Sequence, residues 1–99
     1  TPHAMDISFK FNNEVPPEEG GSGYSYFGGR RPERFTASRN MAALWTAFAR
    51  TGEPAVRDLP DWPVYNLEDR PTMRIAEKCE VISNRYAEEL EMWRKTGWL

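Results

Sequence analysis

The sequence has 99 residues, a formal net charge of −2 and 39% hydrophobic residues, including four Trp, five Phe and four Tyr. This length fits one small domain, and the aromatic content is sufficient for a hydrophobic core. The only concentrated basic residues, Arg30, Arg31 and Arg34, are too few for a nucleic-acid interface. The sequence has neither an apolar run long enough to cross a membrane nor a signal-peptide pattern at its start.

No metal or other cofactor is expected. One His and one Cys cannot supply the four ligands of a zinc site. The single cysteine, Cys79, cannot form an internal disulfide, and its apolar-alternating surroundings predict a packing role. We expect a cytoplasmic location, with secretion as the open alternative, because a single cysteine suits either compartment.

Residues 1–13 hold the only histidine, His3, with Asp6 three positions later. Histidine is the side chain best suited to accept and return a proton near neutral pH. If His3 opens a helical turn, Asp6 lies on the same face and close to the imidazole. A lone histidine is more often a surface or packing residue, so this spacing alone does not establish catalysis.

Residues 14–35 are predicted to form a loop, because prolines and five of the seven glycines interrupt any regular element. The aromatic residues Tyr24, Tyr26 and Phe27 predict that this loop is pinned at one point. Ser22 stands in the run GGSGY at 20–24, which misses the pattern Gly-x-Ser-x-Gly at its last position. Ser22 is therefore interpreted as a loop residue.

Residues 36–52 give the strongest helix prediction, spanning Thr36–Thr51. Thr36 or Ser38 is the predicted cap at its start, and Gly52 suits the left-handed position just past its end. Helical spacing places four apolar side chains on one face, and we expect them in the core. They are Met41, Leu44, Trp45 and Phe48.

The remaining chain divides into a proline-rich connector at 53–71, a β-hairpin at 72–84 and a terminal helix at 85–97. The hairpin strands are predicted at Thr72–Ile75 and Glu80–Ser83 from their apolar alternation, and the terminal helix at Tyr86–Thr96. Its acidic residues, Glu88, Glu89 and Glu91, are expected to be solvated. Four aromatic residues are expected to anchor packing: Trp62, Tyr65, Trp93 and Trp98.

Four short blocks resemble type-B carboxylesterases, the α/β-hydrolase family that includes para-nitrobenzyl esterases and cholinesterases. The segment HAMDISFKF at 3–11 is similar to the family's catalytic-histidine motif, which is His, two variable residues, an acid, an aliphatic, one residue and Phe-x-Phe. ALWTAFARTGEP at 43–54 resembles the family's penultimate helix. WPVY at 62–65 and RPTMRI at 70–75 follow in the family's order. Lys10 and Asn12 depart from the pattern, where an apolar residue and a glycine are common.

The resemblance implies a mainly α-helical α/β-hydrolase fragment with a C-terminal β-hairpin and without the central sheet. His3 would be the catalytic histidine of a carboxylic ester hydrolase, and Asp6 would support its imidazole. Because the triad of this fold runs Ser, acid, His along the chain, the serine and the acid are expected upstream of Thr1. The expected partners are that upstream remainder of the esterase domain and a small-molecule ester, with neither nucleic acid nor membrane.

Two other interpretations stay open. The chain could belong to an esterase-like interaction module that has lost its catalytic activity. It could also be a separately expressed domain, which we expect to self-associate because its helices and hairpin lack the sheet that they cover. Neither the substrate nor the oligomeric state follows from the sequence.

Overall fold

A computed structural model describes residues 3–4, 6–14 and 31–98, in which three helices and one antiparallel hairpin occur. The helices are α1, Asp6–Lys10; α2, Glu33–Thr51; and α3, Ala87–Lys95. The strands are β1, Thr72–Arg74, and β2, Glu80–Ile82, with Met73 opposite Val81 in the register. The predicted hairpin and terminal helix are therefore present. Each strand ends one residue earlier than predicted, and the helix is one residue shorter at both ends. The predicted pin at Tyr24, Tyr26 and Phe27, and the loop role of Ser22, lie outside the described residues.

Helix α2 begins earlier than predicted. It starts at Glu33, inside the segment assigned to the loop, and Pro32 precedes it at the cap position without a side-chain cap. Proline is favoured near a helix start because its missing N–H and fixed φ cost nothing there. The predicted cap at Thr36 or Ser38 is wrong, since both residues lie within the helix. The predicted end is confirmed: Gly52 has φ 80° and its N–H donates to the Phe48 carbonyl at 2.8 Å.

The core forms where α2 meets the connector and the hairpin. Among the described residues its buried apolar members are Leu44, Met73 and Cys79, so the predicted packing role of Cys79 is confirmed. Partly buried neighbours pack around them: Val56, Leu59, Trp62, Ile75 and Val81. The Asn40 amide of α2 donates to the carbonyls of Ala76 and Glu77 at 2.9 and 3.1 Å, which fastens the helix to the hairpin turn.

Several predicted core and anchor residues are exposed instead. On α2, Trp45 is 43% and Phe48 59% exposed, because the described residues cover only the Leu44 side of the helix. Tyr65, Trp93 and Trp98 also remain exposed, although the two tryptophan rings contact each other edge to face, with centroids 6.4 Å apart. Of the apolar side chains on this face of α2, the described residues bury Leu44 and leave Trp45 and Phe48 exposed. No described helix is both long and apolar enough to cross a membrane.

Candidate functional site

His3 lies in a turn that precedes α1. Ala4 has φ 65°, a left-handed conformation that costs a non-glycine residue roughly 1–2 kcal/mol, and its carbonyl accepts the N–H of Ile7 at 3.2 Å. Helix α1 begins at Asp6, so the condition under which His3 and Asp6 would share a helical face is not met. The His3 side chain is exposed, and it makes no hydrogen bond or ion pair within the described part of the chain.

Asp6 forms an ion pair with Lys10 one helical turn later. The hydrogen bond from Lys10 holds the pKa of Asp6 below its ordinary value of 3.8, with a backbone hydrogen bond as the next cause and the charge of His3 as a smaller one. Asp6 thus lies within electrostatic range of His3 but bonds to Lys10. The support of the imidazole by Asp6 stays a prediction.

The two departures from the family pattern fit the local geometry. Asn12 has φ 52°, and asparagine is the residue after glycine that most readily adopts this conformation. It ends α1 in a Schellman motif, in which the N–H of Asn13 donates to the Ser8 carbonyl at 2.8 Å and that of Asn12 to Phe9 at 3.2 Å. The ammonium of Lys10 lies 5.8 Å from the centre of the Trp45 ring. Asn12 therefore helps to terminate α1, and Lys10 contacts α2.

Ser38 connects the histidine segment to α2. Its side chain is fully buried, and its hydroxyl lies 3.3 Å from the Phe9 carbonyl and 3.2 Å from the Asn12 side-chain oxygen. One hydroxyl proton serves these two acceptors in turn. Ser38 was a predicted cap because the helix was expected to start later, and this contact between helices was not predicted from the sequence.

A buried ion pair lies beside this contact. Glu14 and Arg34 have side chains that are 0% and 6% exposed, with the Arg34 Nε 3.6 Å from a Glu14 carboxylate oxygen. Both residues fall in the segment predicted as a loop from its prolines and glycines. The sequence did not reveal the pair, because charged residues are seldom fully buried and the two positions are twenty residues apart.

An apolar groove of about 260 Å³ lies between α2 and the connector. It is lined by Leu44, Trp45, Phe48, Pro54 and Trp62. The described residues contribute no charged side chain to it, so it offers a packing surface. It leaves the aromatic side of α2 uncovered within the described part of the chain.

The chain matches the model of the carboxylesterase family over residues 1–93. It is 46% identical over 68 residues to human carboxylesterase 5A, covering 69% of this chain and 11% of that protein. It is 36% identical over 81 residues to carboxylesterase 3 of Pongo abelii, covering 77% and 14%. The chain therefore spans only a small part of the length of these relatives.

Solved structures agree with the sequence matches. Carboxylesterase EST55 of Geobacillus stearothermophilus superposes with a TM-score of 0.76 and 31% identity, covering 94% of this chain and 19% of that one. A PNB esterase superposes with a TM-score of 0.69 at 22% identity, covering 90% and 17%, which shows the shared fold. These neighbours are α/β-hydrolase esterases, and the described residues of this chain form three helices and a two-stranded hairpin without further strands. By the match over residues 1–93, the chain belongs to the carboxylesterase family.

Proposed function

We propose that this chain is one section of a serine ester hydrolase and supplies the triad histidine, His3. The observation that carries the proposal is the family match over residues 1–93, which includes the histidine motif at 3–11. The exposed imidazole, which makes no hydrogen bond within the described residues, supports it. A triad histidine needs one ring nitrogen for the serine hydroxyl and the other for the acid.

The proposed chemistry is acyl transfer. His3 takes the proton of the serine hydroxyl as the oxygen attacks the ester carbonyl, and it returns that proton to the leaving alkoxide. Water then enters, and His3 repeats the transfer to release the acid and regenerate the serine. The serine, the carboxylate and the oxyanion donors belong to the remainder of the esterase domain, which is the proposed partner of this chain.

The small core and exposed apolar face support the proposal that this chain packs against the rest of an esterase domain. Only three apolar residues are buried among those described, while Trp45 and Phe48 border an open apolar groove. A face of this kind is typical of a helix that packs against another layer of a fold. The proposed occupant of the exposed face is therefore the remaining esterase domain.

The test uses the complete esterase that contains this chain. His3→Ala is expected to lower kcat for p-nitrophenyl butyrate by a factor on the order of 10⁴–10⁶, whereas Asn13→Ala, an exposed change in the same segment, leaves kcat unchanged. The isolated 99-residue chain is expected to hydrolyse no p-nitrophenyl ester, because the covalent step lacks its nucleophile. Full activity of the His3→Ala enzyme would refute the proposed role.

The alternative function, an inactive esterase-like interaction module, predicts a different result. The complete protein would then hydrolyse no ester and would take up no fluorophosphonate, even with His3 intact. Covalent labelling of one serine by a fluorophosphonate, together with ester turnover, would exclude this alternative.

A further inference from the structure

Two charged side chains are buried at the junction between the histidine segment and α2. The Glu14 side chain is 0% exposed and that of Arg34 6% exposed, and the distance between Arg34 Nε and a Glu14 oxygen is 3.6 Å. Neither carboxylate oxygen of Glu14 receives a hydrogen bond among the described residues. Within the described residues, the charge that balances the carboxylate is that of Arg34.

Such a pair is a poor device for stability alone. Removing two charges from water is expensive, and apolar residues of similar volume often replace a buried ion pair without loss of stability. Removing only one partner is strongly destabilising, because an uncompensated charge then stays buried. In some proteins a buried pair adds, over apolar packing, a defined register between the two elements that it joins.

The pair lies where register matters for His3. Glu14 ends the described segment that carries His3, two residues after Asn12, while Arg34 stands at the start of α2. Arg34 and Ser38 are four residues apart, so both project from the same face of α2. The histidine segment is thus attached to that face twice, by Ser38 at Phe9 and Asn12 and by Arg34 at Glu14.

We propose that Glu14 and Arg34 are positioning residues, which act on His3 by fixing its segment on α2. The inference rests on the proposed role of His3. The charge pair selects one placement of the segment, and the imidazole is held at the distance that proton transfer requires. Misplacement of a catalytic group by about 1 Å can cost on the order of a hundredfold in rate.

The experiment compares single and double variants in the complete esterase. Glu14→Met and Arg34→Met are each expected to lower the midpoint of thermal unfolding, and the double variant is expected to recover it. Its kcat is nevertheless expected to stay about tenfold or more below the parent value, with KM within about twofold. The matched control is Arg74→Met with Glu80→Met, which removes an exposed ion pair of 2.9 Å in the hairpin and should change neither quantity.

A second variant covers the case in which the double variant does not fold. Glu14→Gln keeps the side-chain volume and removes the charge, and its kcat is referred to the number of active sites titrated with a fluorophosphonate. We expect about a tenfold loss per titrated site. A parent kcat in either Glu14→Gln or the double variant would overturn the positioning role.

A His3→Ala enzyme separates the two proposals. If His3→Ala is inactive while the double variant has full kcat, only the positioning role fails. If His3→Ala is fully active, the proposed function itself fails.

Discussion

Truncation of Leu44 tests whether the small core holds the chain together. Leu44 is fully buried and contacts the cluster that contains Cys79, the only cysteine of the chain. Leu44→Ala removes about three carbon groups worth roughly 0.8 kcal/mol each in transfer free energy. The cavity that remains adds a further cost, so the total is about 2–5 kcal/mol.

The thiol of Cys79 reports this loss directly. Cys79 is 5% exposed, so a thiol reagent reacts with it only when the cluster opens. A loss of 2 kcal/mol corresponds to about 30-fold faster labelling, since each 1.4 kcal/mol is a factor of ten. The rate in concentrated urea sets the upper limit. The measurement works at low protein concentration, where association between chains does not contribute.

Phe48→Ala is the matched control, because Phe48 lies on the same helix one turn later but is 59% exposed. Its labelling rate is expected to stay within about threefold of the parent rate, because an exposed side chain contributes little burial energy. Equal rates for Leu44→Ala and the parent would refute the assignment of Leu44 to the core. A parent chain that reacts as fast as it does in urea would show that the cluster does not form.

Three further predictions concern the histidine segment and the exposed face. Asn12→Ala should open the end of α1 more readily than Asn12→Gly, because both variants lose the amide side chain but only alanine is strained at φ 52°. The expected difference is about 1–2 kcal/mol in the free energy of opening, measured by hydrogen exchange of the Asn13 amide. Equal exchange in the two variants would contradict this. Lys10→Met should raise the Asp6 pKa toward 3.8 in an NMR titration, because Lys10 is the main cause of its lowering. The ion pair stabilises ionised Asp6, so its contribution to folding stability is present above the ordinary pKa and disappears as the pH falls through the lowered pKa. An unchanged Asp6 pKa would refute the pairing. The isolated chain should self-associate at micromolar concentrations in light scattering, and Phe48→Ser should reduce that association; a monomeric parent chain would count against an uncovered apolar face.

The elements and the core differed in how far the sequence could predict them. Period-two alternation identified the hairpin, and the spacing of apolar residues identified α2, because both patterns depend only on local geometry. The start of α2 was missed because Ser38 looked like a cap, whereas its hydroxyl binds a carbonyl distant in the sequence. The exposure of Trp45 was missed because an apolar pattern predicts which side chains favour burial. It does not show whether the residues that would cover them belong to this segment.

Contacts between residues distant in the sequence were also the part of the site that local patterns did not predict. The motif at 3–11 was recognisable from residue identities. Asn12 replaces the glycine common in the family pattern because asparagine, like glycine, adopts the left-handed conformation found there. The partner of Asp6 was not predictable, since spacing of three favoured His3 while spacing of four favoured Lys10, and the turn at Ala4 decides between them. The Glu14–Arg34 pair joins residues on either side of a segment without regular pattern, so no local rule connects them.

These features separate what stabilises the chain from what places its histidine. The Leu44 cluster joins α2 to the connector and hairpin, while the histidine segment meets α2 through Ser38 and through the Glu14–Arg34 pair. Apolar contacts tolerate small displacements, because dispersion has no preferred direction. Hydrogen bonds lose strength steeply with misalignment, and a buried charge allows few alternative placements. Under the proposed role of His3, a segment that presents an imidazole to a group on another part of the fold is better fixed by the second kind of contact. On that proposal, the energetic cost of burying Glu14 and Arg34 is the cost of fixing the position of His3.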